Sequence, residues 1–281
     1  MEIRYLDRQE HERSRKLYEE VFVEDEQAFV DAYYQVKAVD NEILAAEENG
    51  EIVSMLHRNP YTFRFRGESV PADYLVAVAT RFAFRRRGLM SALLTKALRD
   101  MEEQKYPFTF LMPADEAIYT PFDFRLMGND DEEGLSELSQ EELSEDYDLY
   151  TEKDEAYARR HIDWPGWEST PMMIRLLHLP SFVRRIGAEQ EQSLNIEIED
   201  RILPGNNGVF RWDFSEEGSI LSATASKPEI RVSIADLGSF LCGMLGPEEL
   251  PGLKDAENPQ SVIERLGRVQ VIDGIYINET V

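Results

Sequence analysis

The feature that most constrains this chain is the stretch from Val76 to Ser91. An apolar, β-branched segment, Tyr74 to Thr80, reads as a buried strand, and Gly88 to Met101 reads as a helix with Leu89, Leu93, Leu94 and Leu98 facing inward. Between them lies Arg85-Arg86-Arg87-Gly88. Phe108 to Met112 is a second buried strand, so the order is strand, basic turn, helix, strand. The backbone N–H groups at a helix start are free donors, and the helix dipole adds partial positive charge there. A glycine lets a ligand approach the backbone closely, and arginines add charge-assisted bonds to phosphate oxygens. The turn is therefore suited to an anion such as a pyrophosphate. It has no Gly-Lys-Ser or Gly-Lys-Thr and only one glycine, so neither a Walker loop nor a dinucleotide fingerprint is present.

Three consecutive arginines stand out because the chain is acidic: 55 Asp and Glu against 30 Lys and Arg give a formal net charge of -25. Such a surface repels nucleic acid and anionic membranes and suits a cationic amine partner, although solubility alone also accounts for it. No run approaches the roughly 20 apolar residues of a membrane span, and the N-terminus shows no secretory signal. The single cysteine, Cys242, excludes an internal disulfide, and the four histidines have no metal-like spacing. A cytoplasmic protein without a metal site is the expectation.

Ile3 to Leu6 reads as a strand, and Asp7 as the N-cap of a helix from Arg8 to Val21. A second helical stretch carries Phe29, Tyr33 and Val36. Asn49-Gly50 between two apolar runs signals a hairpin, and Tyr61 to Phe65 alternates before Arg66-Gly67. Antiparallel strands followed by the strand–helix–strand unit predict a mixed sheet with helices on its faces, an α+β fold. From about residue 129 to 160 acidic side chains crowd a segment with little apolar content, which predicts a solvated, partly helical linker. After Pro171 strands read at Met172 to Leu177, Leu194 to Ile198, Val209 to Phe214, Ile220 to Ala225 and Ile230 to Ile234. Short helices read at Leu179 to Ile186, Ile234 to Leu241 and Val262 to Leu266, and Val269 to Ile277 reads as an apolar last segment. This predicts a second, smaller α+β domain.

Arg85-Arg86-Arg87-Gly88-Leu89-Met90 after a strand resembles the central motif of the GNAT superfamily of acetyltransferases, with Met90 where a small residue is usual. A longer match is similar to the enhanced-intracellular-survival (Eis-like) branch. It comprises Arg85 to Leu94, Tyr106-Pro107, and Ile118-Tyr119-Thr120-Pro121-Phe122-Asp123-Phe124, with Asp123 where that branch has glycine. Met172-Met173-Ile174-Arg175 resembles the opening of the sterol-carrier-like domain of the same branch, and Ile275 to Glu279 its ending. The resemblance implies a GNAT domain over 1–128, a shortened remnant of the middle domain as an acidic linker over 129–171, and a sterol-carrier-like domain over 172–281.

It also implies roles. Acetyl-CoA would donate an acetyl group to a primary amine, on a cationic small molecule or a lysine, by direct attack. Val78, Ala79 and Thr80 would meet the pantetheine arm, and Arg85, Arg86, Arg87, Gly88, Leu89, Met90 and Ser91 the phosphates. Tyr119 would protonate the departing thiolate; a phenol is a suitable donor. The terminal carboxylate, on Val281, would act as base. Apart from the resemblance, Glu24, Asp25 and Glu279 are the candidates for substrate binding, and for the base if the terminus lies elsewhere. A homo-oligomer is a further expectation. Phe210, Trp212, Phe214, Phe240 and Leu241 could line an apolar cavity but read more simply as core. The competing reading is a CoA- or lipid-binding module that has lost acetyl transfer, favoured by Met90, Asp123 and the short middle region.

Overall fold

A computed structural model describes residues 1–127, 138–162, 171–277 and Glu279. Its first layer is a mixed sheet whose path runs β1 (Glu2–Tyr5), β2 (Glu42–Glu48), β3 (Glu51–Phe65), β4 (Glu68–Thr80), β5 (Phe108–Leu111), β8 (Met173–Leu176) and β6 (Arg125–Leu126). Two left-handed turns build its central hairpins. Asn49 and Gly50, with φ of 54° and 81°, join β2 to β3, and Arg66 and Gly67, with φ of 48° and 79°, join β3 to β4. Consecutive positive φ values match the twist of the flanking strands, which is why Asn-Gly marked the first turn in sequence. The runs Ile52–Leu56 and Tyr61–Phe65, separate in sequence, form one strand, β3.

Helices cover both faces. On one side lie α1 (Arg15–Val21) and α2 (Gln27–Val36); the expected helix from Arg8 divides into a 3-10 segment, Arg8–Ser14, followed by α1. On the other lies α3 (Leu89–Glu103), whose Leu89, Leu93, Leu94, Ala97, Leu98 and Met101 are buried against the sheet. The short α4 (Glu116–Tyr119), capped by the Asp115 side chain, follows β5.

The segment from 138 to 162 departs from its expectation as a solvated linker. It contains α5 (Gln140–Asp146), β7 (Leu149–Thr151) and α6 (Glu155–Arg160). β7 hydrogen-bonds to the far end of β3, Phe63–Phe65, and Leu143, Leu149, Tyr150 and Thr151 are buried. The acidic residues occupy the solvent side, so composition concealed a few buried apolar positions. Residues 128–137 and 163–170 lie outside the described part.

The second layer is an antiparallel hairpin sheet with one parallel edge, in the order β11 (Ser219–Ala223), β10 (Gly208–Phe214), β9 (Gln192–Glu199), β12 (Ile230–Ser233). It is accompanied by α7 (Leu179–Val183), α8 (Ile234–Leu241) and α9 (Pro259–Leu266). Trp212, Phe214, Phe240 and Leu241 are buried in the main core, with Phe210 packed at its margin. The strand Met173–Leu176, placed by its motif at the start of the second domain, pairs instead with β5 and β6 in the first sheet. Within the apolar last segment, Val269 to Ile277, the strand is β13 (Ile275–Tyr276), which pairs in parallel with β7.

Arg66 stitches the two layers. Its Nε and Nη2 donate to Asp148 Oδ2 at 3.0 and 2.8 Å, and its Nη1 to the Arg185 carbonyl at 2.7 Å. Nη2 also reaches the Gln270 and Val271 carbonyls, each at 2.9 Å. Hydrogen bonds that involve a charged group contribute about 1.5–3 kcal/mol. Arg66→Ala is expected to lower unfolding stability by about that much in urea titrations; a change within about 0.5 kcal/mol, typical of an ordinary surface substitution, would show that the stitch does not matter.

Candidate active site

β4 and β5 run side by side only where Tyr74 faces Phe110. The cause is a bulge in β4. Met55 pairs with Ala79 and His57 with Val76, so Ala77 and Val78 together face Leu56. Ala77 takes φ of 50°, a left-handed conformation that costs a non-glycine residue energy and bends the strand. Past the bulge the edge of β4 turns from β5 and faces a cleft.

That cleft has two parts. One, of about 550 Å³, is lined by Val78, Thr80, Arg85, Arg86, Gly88, Leu89, Met90 and Ser91, with Tyr119 and Phe122 opposite. Gly88 sits at the N-cap of α3 with φ of 76°, and Arg86 is left-handed at 61°. These two residues curl the turn so that the free N–H groups of the first turn of α3 face the cleft. Arg85 Nε donates to the Thr80 carbonyl at 3.0 Å. Arg86 is exposed and has no ion-pair partner among the described residues. Two expected cofactor residues fall outside the cleft wall: Ala79 is buried in the core, and Arg87 lays its guanidinium over the Phe84 ring at 4.7 Å.

The other part, of about 320 Å³, is lined by Tyr18, Phe22, Asp25, Phe29, Tyr74 and Met112 and again by Val78 and Tyr119. Tyr119 thus borders both. It ends α4, is 7% exposed, and packs its ring edge on Phe124 at 6.1 Å. Burial pushes its hydroxyl up to about 12, so the phenol stays protonated at neutral pH. The Asp25 carboxylate accepts from the Tyr18 hydroxyl at 2.7 Å. Glu24 is exposed and lines neither part. The aromatic wall was not singled out in sequence; Tyr18 and Tyr74 read there only as members of a helix and a strand.

Glu279 is buried away from both parts, and burial raises its carboxyl against the pull of the Lys37 ammonium. Lys37 Nζ donates to the Tyr61 hydroxyl at 3.0 Å, and the Tyr61 ring meets Tyr74 edge-on at 6.1 Å. Glu279 therefore lies one aromatic layer behind the Tyr74 wall. Val281 lies outside the described residues.

The two departures from the resembled motif fit the geometry. Met90 is part-buried and lines the larger cleft. Asp123 has φ of 63°, the conformation for which glycine is the usual choice and Asp a tolerated one.

Residues 2–127 match the acetyltransferase (GNAT) domain family, and residues 179–271 match the sterol carrier protein domain family. The chain carries a GNAT acetyltransferase domain followed by a sterol carrier protein domain. It is an acyltransferase. Solved structures share the fold over nearly the whole length. A conserved protein of Enterococcus faecalis V583 superposes with a TM-score of 0.70 at 14% identity, over 98% of this chain and 99% of that one. A GCN5-related N-acetyltransferase from Anabaena variabilis ATCC 29413 gives 0.67 at 13%, over 95% and 97%. Eis1 from Mycobacterium abscessus gives 0.64 at 17%, over 96% and 97%. No curated protein matches the sequence. Among the described residues no helix is long and apolar enough to cross a membrane.

Beneath the aromatic wall of the GNAT domain lies a buried histidine. Tyr18 stacks on Tyr33 at 5.4 Å, and Asn41 Nδ2 donates to the Tyr33 hydroxyl at 3.0 Å. That leaves the Tyr33 proton for His57 Nδ1, 2.8 Å away. Burial lowers His57 to about 3, so it is neutral in the folded protein. An unfolded histidine gains its proton below about 6.5. The stability tied to neutral His57 is therefore present above that pH and declines as pH falls toward about 3. In this window unfolding free energy should drop more steeply in wild type than in His57→Gln, by about 1.4 kcal/mol per pH unit. Equal slopes in urea titrations would mean that the folded histidine is also protonated.

Proposed function

We propose that the GNAT domain transfers acetyl from acetyl-CoA to a primary amine held in the smaller, aromatic part of the cleft. The observation that carries this reading is the position of Tyr119, shared by a basic, helix-capped cleft on one side and an aromatic, acid-bearing cleft on the other. The β4 edge at Val78 and Thr80 would receive the amide arm of the donor, and the α3 N-terminus with Arg85, Arg86 and Ser91 its phosphates. Acetyl-CoA supplies an activated acetyl thioester. Asp25 would orient the acceptor ammonium, with the rings of Tyr18, Phe22 and Phe29 around its carbon body.

The chemistry asked of the chain is proton handling. The amine nitrogen forms the new C–N bond and the C–S bond breaks. Tyr119 gives its proton to the departing sulfur. The acceptor ammonium gives up one proton before the attack, which frees its lone pair, and a second as the amide forms. Asp25 lies in the cleft to take the first, and the terminal carboxylate of Val281 is the acceptor that we propose for the second. Met90 and Asp123 do not obstruct this reading. Three matched segments, around Arg85, Tyr119 and Arg175, converge on one cleft and its backing, which supports an Eis-like assignment. The acceptor class that we infer is a small cationic amine or a lysine side chain, in keeping with one acidic residue in an otherwise apolar wall.

Arg86→Glu should raise the dissociation constant for CoA about tenfold or more, since a charge-assisted contact becomes a repulsion; calorimetry with unchanged affinity would defeat the phosphate assignment. Tyr119→Phe should keep that affinity and lower kcat by about 10²-fold, the scale of a positioned acid. Undiminished turnover, followed by thiol release with an amine panel, would leave Tyr119 as packing.

A further inference from the structure

Tyr119 ends a four-residue helix, too short to hold its own direction, and the chain turns straight away through Thr120–Phe122 into left-handed Asp123. What fixes that turn comes from behind. Arg175 Nε donates to the Phe122 carbonyl at 3.2 Å, and Arg175 Nη2 lies 3.7 Å from Asp123 Oδ2. The same Nη2 is 2.8 and 2.9 Å from the two carboxylate oxygens of Asp200, and both side chains are wholly buried. Asp200 follows β9, outside the GNAT domain, and is itself saturated: it accepts from Ile202 N, Leu203 N and Asn206 Nδ2 at 3.0, 2.9 and 3.0 Å. Leu203, from this loop, is buried in the same apolar cluster as Tyr119 and Phe124.

A buried ion pair is weak evidence for stability, because apolar residues of equal volume often serve as well. Its specific contribution is direction. The guanidinium fork is planar and fixes where its partners lie, and here one edge holds the turn after Tyr119 while the tip holds the loop after β9. We propose that Arg175 and Asp200 are positioning residues for Tyr119, so that the second domain sets the aim of the general acid. The sterol carrier domain then serves acetyl transfer as a backing plate. This inference rests on the reading of Tyr119 as the acid.

The test is a double-mutant cycle on the full chain, with acetyl-CoA and an amine acceptor. Asp200→Asn keeps the shape and removes the charge. We expect kcat to fall about 10–100-fold, the scale of a misplaced catalytic group, with KM for acetyl-CoA unchanged. Arg175→Lys keeps the charge pair, loses the Nε donor to Phe122 and should behave alike; it serves also where Asp200→Asn folds poorly. Trp212→Phe, in the core of the second sheet, should lower the melting temperature and leave kcat in place. In a Tyr119→Phe background Asp200→Asn should cost no further kcat, because it acts through the missing hydroxyl. Wild-type kcat in both Asp200→Asn and Arg175→Lys, or a full additional loss on top of Tyr119→Phe, would overturn the proposal. A Tyr119→Phe enzyme with wild-type kcat would instead defeat the acid reading itself.

Discussion

Everything about the cleft follows from one misfit in a hydrogen-bonded ladder. β4 has two residues, Ala77 and Val78, where β3 has only Leu56. A strand that absorbs an extra residue must bend, and β4 bends away from β5. Had the two stayed parallel to the end, their edges would have satisfied each other and no space would exist between them. The left-handed Ala77 stores the cost of that opening, and the long β3–β4 hairpin over-determines it, since pairing continues on both sides of the bulge from Ser54 to Phe65. The donor and acceptor sides of the cleft are two consequences of one local insertion.

The second domain reads differently in this light. Its interior is filled by Trp212, Phe214, Phe240 and Leu241 with the rest of the main core. Beside the apolar core that it shares with the first domain, it makes directional polar contacts: Arg66 to the Arg185, Gln270 and Val271 carbonyls, and Arg175 to Asp200. Guanidinium forks, wholly buried at Arg175 and part-buried at Arg66, hold a domain in orientation rather than merely in proximity.

The strand, basic turn and helix from Tyr74 to Met101 were legible because local periodicity and an N-terminal glycine suffice to define them. So were Asn49-Gly50 and most strands of the second layer. The left-handed backbone at Ala77 was not, since alanine carries no signal for positive φ. Nor was β7: Leu149 and Tyr150 are too few to show a period, and their partners on β3 lie more than eighty residues earlier. Met173 to Leu176 reads as a strand of the second domain; that it pairs in the first sheet is not legible, because pairing partners are set by long-range packing and not by the strand's own residues. At the site, Tyr119 and the Arg85–Ser91 turn were visible through motif; the aromatic wall was not, as aromatic residues in strands and helices look the same in cores and in clefts.

The first sheet is not finished by the first domain. Its strands β7 and β8 come from later in the chain, and Ile275 and Tyr276 pair with β7. Domains generally fold as units in the order in which they leave the ribosome. This chain departs from that order at one place: β7 and β8 precede the sterol carrier domain, but β13, the partner of β7, follows it. The first sheet therefore receives its last strand only after the second domain has been made.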